Sequence, residues 1–460
     1  MFIEPGNKKK YSASPCSVGA NERMVWLSPK SILLGLPILW FLLAVGQLSA
    51  QSEGPVEWWR KIEVKPTATL QVWSSYTMGQ TVFDETSGSY EAVDNRLNFQ
   101  LRRGRLSLKG KAGDQVKFNL TIAGDLVGRD VLAGTEGGAN NGGSPIIRLW
   151  NAYVLWRLVP DQEYLHLATG YMVPQIGRES TTSAFKTPSM EKSWTQNYLR
   201  RHLVGTGPGR SVGVNLGGLL FPHEGSQWSS RYDLGVFNPA QNTFGGNSTG
   251  RRTAPLVSAR YMLTYGEPEA KNYRLSNSVL FFKERWGASM AVAGAWQSRS
   301  DFFEDNYAAG VDMILSIGWW TLDGELFQLG RKHLPDSDDL SEDWSLAETG
   351  HLRLSRLFDF GQDRYLQPAV SYHFLHGGMS EEEQLVAQDT RSFAGEEWYS
   401  EVTLNWYFSQ RFKISGSYTH RGGETGDFGP GAGFNNYLFQ SGAGPIERGN
   451  WLGLGLTATF

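Results

Sequence analysis

Hydrophobic and polar residues alternate along much of this chain, most clearly over its last eleven residues, NWLGLGLTATF. Leu452, Leu454, Leu456, Ala458 and Phe460 occupy every second position, while glycine and threonine fill the positions between Leu452 and Phe460. This period of two predicts a β-strand with one apolar face. Taken alone, the segment fits either the last strand of a secreted β-sandwich or the closing strand of a membrane barrel.

The same alternation recurs in segments of about ten residues, the length of a membrane-spanning strand. Sixteen such segments are predicted, and the even count places both termini on the periplasmic side. They are Ala68–Thr81, Arg96–Lys109, Val116–Leu126, Ile146–Trp156, Glu163–Met172, Ser211–Phe221, Ser230–Phe237, Leu256–Tyr265, Gly287–Gln297, Ala308–Ile317, Thr321–Leu329, Gly350–Phe358, Leu366–Leu375, Trp398–Phe408, Arg411–His420 and Trp451–Phe460.

Short and long connections take turns between these segments, which is typical of short periplasmic turns and longer outer loops. The Gly266–Trp286 connection is an exception, since it falls where a short turn is expected. Pro174–Arg210 shows no strand alternation and forms the third outer loop. The pattern therefore predicts an all-β protein, an antiparallel transmembrane barrel of about sixteen strands.

The N-terminal region has the pattern of an export signal. Ile32–Val45 is apolar and free of charge, follows Lys30, and precedes small residues that end at Ala50. This predicts a signal peptide over residues 1–50, with Met24 as a possible true start. A short periplasmic segment over 51–67 and a barrel over 68–460 complete the predicted organisation.

Composition narrows the function classes. The single cysteine, Cys16, lies before the apolar run, so the predicted mature chain has no thiol for disulfides, zinc–thiolate sites or cysteine catalysis. Residues 1–50 hold five Lys/Arg and two Asp/Glu, which leaves 38 basic against 44 acidic residues, a net charge of −6. This charge disfavours a nucleic-acid partner. No metal and no cofactor are predicted.

Three stretches resemble the phosphate-selective porin O and P family: Arg96–Leu120, Leu165–Ser193 and Gly205–Leu220. The terminal Phe460 resembles the C-terminal signal of bacterial outer-membrane barrels. The resemblance implies a sixteen-stranded barrel in the outer membrane of a Gram-negative bacterium. It also implies a homotrimer and a third outer loop that folds into the lumen.

Cations on the third outer loop and the second strand are the candidate pore-lining residues. The loop carries six cations and two acids, Glu179 and Glu191, and a bulge near Arg103–Gly104 would turn further cations of the second strand inward. Rings of Arg or Lys at a constriction favour anions. The candidates are Arg178, Lys186, Lys192, Arg200, Arg201, Arg210, Arg102, Arg105 and Lys109.

An alternative is that these cations only neutralise acids that also face inward: Asp312, Asp323, Glu325 and Glu401. Inward positions are expected for Lys117 and Arg260 as well.

The predicted function is passive diffusion of small hydrophilic solutes across the outer membrane, with a preference for anions such as phosphate. Membrane lipid and these solutes are the predicted partners. A secreted all-β binding protein is one alternative, and a barrel enzyme of the lipase or protease type is another. The enzyme would use His373, His376 and Ser380, or the GRSVG segment at Gly209–Gly213, which lacks the strand–turn–helix context of a nucleophile elbow. The chain is therefore predicted not to be an enzyme.

Overall fold

The computed structural model describes residues 62–135, 146–205, 209–221, 225–239, 251–335 and 344–460. The predicted export signal over residues 1–50 lies outside these ranges, as does most of the predicted periplasmic segment over 51–67. Both therefore stay predictions.

Sixteen long strands are found among the described residues. They are β1 Ile62–Met78, β2 Arg96–Ala112, β3 Val116–Val127, β4 Arg148–Arg157, β5 His166–Met172, β6 Ser211–Leu220, β7 Trp228–Phe237, β8 Leu256–Gly266, β9 Arg285–Ser298, β10 Asp305–Gly318, β11 Trp320–Lys332, β12 Trp344–Arg356, β13 Tyr365–Gly377, β14 Glu396–Ser409, β15 Phe412–Glu424 and β16 Asn450–Thr459. Each predicted segment overlaps one of them.

The sheet closes on itself because β1 pairs antiparallel with β16 on one side and with β2 on the other. Ten consecutive residue pairs join β1 to β16, from Thr69↔Thr459 to Met78↔Asn450. Closure removes the unpaired edges that an open sheet would expose. The prediction of a sixteen-stranded antiparallel barrel is confirmed.

The first strand is longer than expected at its N-terminal end. It begins at Ile62 instead of Ala68, and Ile62–Thr67 continue the pairing with β2, where Ile62 lies opposite Ala112. Pro66 interrupts the strand pattern because proline cannot donate a ladder hydrogen bond. This explains why the sequence pattern placed the strand start after it.

The two faces of each strand differ as the alternation requires. On β14, Val402 and Leu404 are more than half exposed on the outer surface, whereas Thr403 and Asn405 are buried inside. The same holds on β16, where Leu454 is 59% exposed and Thr457 is 5% exposed. An outer surface this rich in exposed Leu and Val is stable only in an apolar surrounding such as lipid.

Three helices lie in the loops: α1 Arg178–Thr181 and α2 Trp194–Val204 in the third outer loop, and α3 Glu381–Asp389 between β13 and β14. Short 3₁₀ turns span Ala184–Lys186 and Gly426–Phe428. Four short strands in the loops form one small separate sheet: Thr81–Asp84, Ser89–Ala92, Phe439–Gln440 and Gly444–Glu447. A fifth short strand, Phe358–Asp359, pairs with β13. None of the helices within the described ranges is long and apolar enough to cross a membrane.

Helix α2 packs its apolar side against inward-facing residues of the barrel. Trp194, Tyr198, Leu199 and Leu203 are each at most 2% exposed and belong to one buried cluster. The strand residues of that cluster include Phe237, Phe327, Leu375 and Tyr399. Since burying each large apolar side chain contributes about 1.5–3 kcal/mol, this cluster fixes the third outer loop against the wall.

Candidate functional site

The third outer loop, residues 173–210, contacts lumen-facing groups on several strands. Arg353 of β12 forms an ion pair with Glu179 at 3.2 Å, and Glu401 of β14 accepts a hydrogen bond from the backbone nitrogen of Met190 at 3.1 Å. Lys413 of β15 donates to the carbonyl oxygen of Thr187 at 3.1 Å. The charged side chains of this loop therefore meet those of the inner wall.

A bulge in β2 turns three closely spaced arginines of this strand toward the inside of the barrel. The pairing between β1 and β2 shifts register at Arg102, so that Val72 lies opposite Leu101 and Gln71 lies opposite Arg103. The extra residue in a bulge changes the parity of the strand. Arg102, Arg103 and Arg105 consequently are all buried inside the barrel. The bulge lies one residue before the predicted position, and Arg103 was not among the predicted pore residues.

Two of these arginines bind one carboxylate of the third outer loop. Arg102 donates from Nε to Glu191 Oε2 at 2.8 Å, and Arg103 forms an ion pair with the other oxygen of Glu191. Arg105 pairs with Asp125 of β3, with its Nη2 at 2.6 Å from Oδ2. The loop is thus joined to β2 by Glu191, whose position in the sequence indicated only an acid among the cations of the loop.

Trp150 of β4 lies between two guanidinium groups. The guanidinium carbons of Arg105 and Arg210 are 3.4 Å and 3.9 Å from the centroid of its ring. Two such groups cannot share one face at these distances, so they lie on opposite faces. Cation–π attraction of about 0.5–2 kcal/mol for each contact offsets the repulsion between them. Trp150 itself occupies a second bulge, at the register shift between β3 and β4.

Of the remaining candidates, two lysines are exposed, whereas Lys192 and Arg200 interact with other groups of the protein. Lys109 on β2 and Lys186 on the loop are exposed, and Lys186 lies near enough to Lys109 for their charges to interact. Lys192 donates to the carbonyl oxygens of Ser180 and Thr182, at 3.4 and 3.0 Å.

Arg200 interacts electrostatically with Glu191, Arg102, Arg201 and Arg103. Its Nε has no hydrogen-bond partner among the described residues.

Eight cations therefore share one part of the lumen, which we call the basic face. Of the described carboxylates, Glu191 and Asp125 form ion pairs with it. Its members are Arg102, Arg103, Arg105, Lys109, Lys186, Lys192, Arg200 and Arg210.

Burial and the crowding of like charges lower the pKa values of three cations on the loop part of this face. Burial lowers the pKa of Lys192 to about 7; Glu179 opposes the change, while Arg210, Arg200 and Arg103 add to it. Burial lowers the pKa of Arg200 to about 10. Burial and the charges of Arg105 and Arg200 also hold the pKa of Arg210 well below its ordinary value.

Arg178 and Arg201 do not join the basic face. Arg178 is buried in ion pairs with Glu269 at 2.7 Å and Asp312 at 3.0 Å. Arg201 donates to Asn436 at 2.9 Å, on the loop before β16.

The opposite part of the inner wall carries acids that are paired with arginines or hydrogen-bonded within the protein. Arg260 binds Asp312 at 2.8 Å, and Arg353 binds Asp323 at 2.7 Å. We call this part of the inner wall the acidic wall; its members are Asp233, Asp312, Asp323, Glu325 and Glu401. Arg178 and Arg260 thus pair with Asp312, one of the acids named in the alternative of neutralised charges, whereas the ion pairs of the basic face are to Glu191 and Asp125.

One group on the acidic wall has metal-ligand chemistry. Single ligand atoms of Glu179, Asp323 and His351 lie within 4.8 Å of one another, and all three residues are buried. Arg353 donates to both carboxylates of this group. Since a guanidinium already neutralises the carboxylates, the group fits an internal ion-pair network better than a cation site.

The residues proposed for an enzyme have other partners. His373 is buried beside Ser371, with 2.9 Å between its Nε2 and the hydroxyl oxygen. Ser380 caps α3, and its hydroxyl donates to Glu383 at 2.9 Å. Ser211 of the GRSVG segment donates to the carbonyl oxygen of Asn238 at 2.9 Å. Each hydroxyl is thus used in holding the fold.

The model of one protein family, described as phosphate-selective porin O and P, matches residues 74–292. The match begins near the C-terminal end of β1 and continues into β9, and it contains the whole third outer loop. Over just under half of its length, this chain is therefore similar to the phosphate-selective porin O and P family. It is an outer-membrane porin, and both family and fold indicate a channel rather than an enzyme.

Solved structures with the same fold are distant in sequence. An anion-selective porin from Comamonas acidovorans is 12% identical with a TM-score of 0.51, over 87% of this chain and 100% of that one. OprB from Pseudomonas putida is 9% identical with a TM-score of 0.50, over 86% of this porin and 94% of that chain. No curated protein matches the sequence.

Proposed function

We propose that this porin conducts small hydrophilic solutes by passive diffusion and prefers anions, with phosphate among them. The observation that carries the proposal is the basic face, where three of the eight cations form ion pairs with two described carboxylates, Glu191 and Asp125. Where cations outnumber the nearby carboxylates in a partly dehydrated channel, they attract anions from solution and repel cations. The planar fork of arginine suits phosphate because it can bind two oxygens at once.

Family and fold agree with this proposal. The family is named for phosphate selectivity, and the porin from Comamonas acidovorans with the same fold is described as anion-selective. Lys186 and Lys109 supply the exposed charges at which a hydrated anion would first be held. The buried arginines behind them supply the potential along the path.

The test is the reversal potential of single channels in a planar bilayer under a potassium chloride gradient. Replacing Lys186, Lys192 and Arg200 by glutamine should lower the chloride-to-potassium permeability ratio. Each lost charge accounts for about 0.5–1 kcal/mol for an ion 4–8 Å away in water. Arg201→Gln is the control for a charge on the same helix whose guanidinium donates to Asn436, and it should change the ratio much less than the triple variant does.

Two results would separate the parts of this proposal. A wild-type channel that prefers potassium would refute the anion preference and leave the porin in place. Equal effects of Arg201→Gln and of the triple variant would show that overall charge, and not the basic face, sets selectivity. Phosphate specificity is tested by whether millimolar phosphate reduces chloride current more than sulfate does.

We also propose that the porin is a homotrimer, which rests on the family resemblance. Light scattering of the purified protein in detergent, with the detergent mass subtracted, should give three times the mass of the mature chain. Export by an N-terminal signal over residues 1–50 is proposed in the same way. N-terminal sequencing of the outer-membrane protein should then begin at Gln51.

A further inference from the structure

The connection 267–284 between β8 and β9 is long where the topology calls for a periplasmic turn, and it lies inside the barrel. Tyr273 is 1% exposed, donates its hydroxyl hydrogen bond to Asp233 of β7, and accepts one from Asn215 of β6 at 3.0 Å. Its ring stacks on His166 of β5 at 4.8 Å between centroids. All three partners face inward, so this part of the connection covers the inner wall at β5–β7.

The other end of the connection reaches a distant part of the wall. Phe282 packs against Tyr365 of β13 and Tyr407 of β14, with ring centroids 5.0 and 5.1 Å apart. Leu280 is buried in the same cluster. The connection therefore spans the lumen from β5–β7 to β13–β14.

The connection also binds the third outer loop, on both sides of Tyr273. Glu269 forms a two-fold ion pair with Arg178, at 2.7 and 2.9 Å. Asn277 donates to the hydroxyl of Thr181 at 2.8 Å and accepts from Arg231 at 3.1 Å. Two segments that enter the barrel from opposite ends thus meet at buried polar contacts.

The connection also divides the charges of the lumen. Asp233 and Asp312 of the acidic wall lie against it or against its partner Arg178, and both are 1% exposed. On its other side, Arg274 is exposed and interacts electrostatically with Lys186 of the basic face. A cavity between the connection and β6–β8 is lined by Thr264, Met262, Glu269 and Asn277.

We propose that the connection 267–284 is a second constriction segment, which closes the acidic side of the lumen and confines permeating ions to the basic face. The proposal rests on the porin function. Arg178–Glu269 and Asn277–Thr181 are its latch to the third outer loop. Arg274 adds a cation to the path, and anion preference arises partly because the acidic wall is covered.

The first experiment shortens the connection. Gly266 pairs with Gly287 across β8 and β9, so a three-residue turn containing glycine can replace 268–284 and close the hairpin. Single-channel conductance should rise about twofold, because current through a water-filled lumen grows with its open cross-section. The chloride-to-potassium ratio should fall as the acidic wall becomes accessible.

A second experiment keeps the chain length and removes the latch. The double variant Glu269→Ala/Asn277→Ala should raise conductance in the same direction, while Lys271→Ala, an exposed charge on the same segment, should leave it unchanged. Unchanged conductance in both the shortened and the latch variants would overturn the proposal.

Cysteine accessibility locates the path independently of ion preference. In a Cys16→Ser background, an anionic methanethiosulfonate reagent should block current through Ser107→Cys on β2 but not through Thr264→Cys beneath the connection. Thr264→Cys should become reactive once the connection is shortened. Reactivity of Thr264→Cys in the full-length chain would refute the closure of the acidic side. Because this readout does not depend on selectivity, a cation-preferring wild type would refute the proposed function and leave this test intact.

Discussion

Lys192 gives the basic face a charge that titrates near neutral pH. Its ammonium group donates to two carbonyl oxygens of the third outer loop, and its pKa of about 7 lies far below the ordinary lysine value because burial disfavours the charged form. Glu179, Arg210, Arg200 and Arg103 are the charged groups that act on it. A lowered lysine pKa means that the charge is present below pH 7 and absent above it.

We therefore expect chloride selectivity to fall with a midpoint near pH 7 as the pH is raised from 5 to 9. One charge at roughly 5 Å from a permeating ion in water contributes about 0.8 kcal/mol, or about fourfold in local ion concentration. Anion enrichment and cation exclusion both change, so the permeability ratio should fall three- to tenfold, roughly, at low salt. A higher salt concentration should reduce the step because mobile ions screen the charge.

The assay is the reversal potential measured across the pH series in wild type and in two variants. Lys192→Arg keeps the charge at every pH and should remove the step, leaving selectivity at its acidic level. Lys192→Met removes the charge at every pH and should also abolish the step, leaving chloride selectivity at its alkaline level. Because all eight histidines remain in both variants, a step that persists in Lys192→Arg would assign the titration to another group and refute the reasoning.

Three further predictions concern the barrel itself. Gly170→Ala should prevent folding, because its φ is +129° and a Cβ would lie 2.2 Å from a backbone oxygen, at a cost of at least about 3 kcal/mol. Gly124→Ala, where nothing lies within 4 Å, is the control, and the heat-modifiable gel shift of the folded barrel is the measurement. Leu454→Arg on the outer face should lower stability by about 2–4 kcal/mol in a urea titration in lipid vesicles; no change would place that face away from lipid. Trp150→Leu removes the ring between two guanidinium groups and should lower both the thermal midpoint and the chloride preference; an unchanged chloride preference would separate the stack from the permeation path.

The positions of the strands could be predicted from the sequence because a barrel wall imposes a strict period. Outward residues meet lipid and inward residues meet water or polar groups, so alternation persists along the strands except at bulges such as the one in β2. Errors occurred where a local feature breaks the period. Because Pro66 interrupts the pattern, the start of β1 was predicted after it, although the strand begins at Ile62. The start of β12 at Trp344 lies six residues before the predicted Gly350.

Site residues were harder to predict because partners come from distant parts of the chain. Arg103 enters the lumen only because the bulge lies at Arg102, and the sequence pattern could locate a bulge only to within a few residues. The role of Trp150 depends on Arg105 and Arg210, which are 45 and 60 residues away from it along the chain. Neither contact has a local sequence signal.

The sequence by itself determined the closed wall, its two faces and the long third outer loop, since these follow from periodicity and connection length. Only the tertiary structure decided which cations are neutralised and which are not. Arg178 and Lys192 belong to the same loop, yet one is buried between two carboxylates and the other faces the basic side. The physical reason is that Coulomb interactions act over a few ångströms in space, and the fold, not the spacing along the chain, sets those distances.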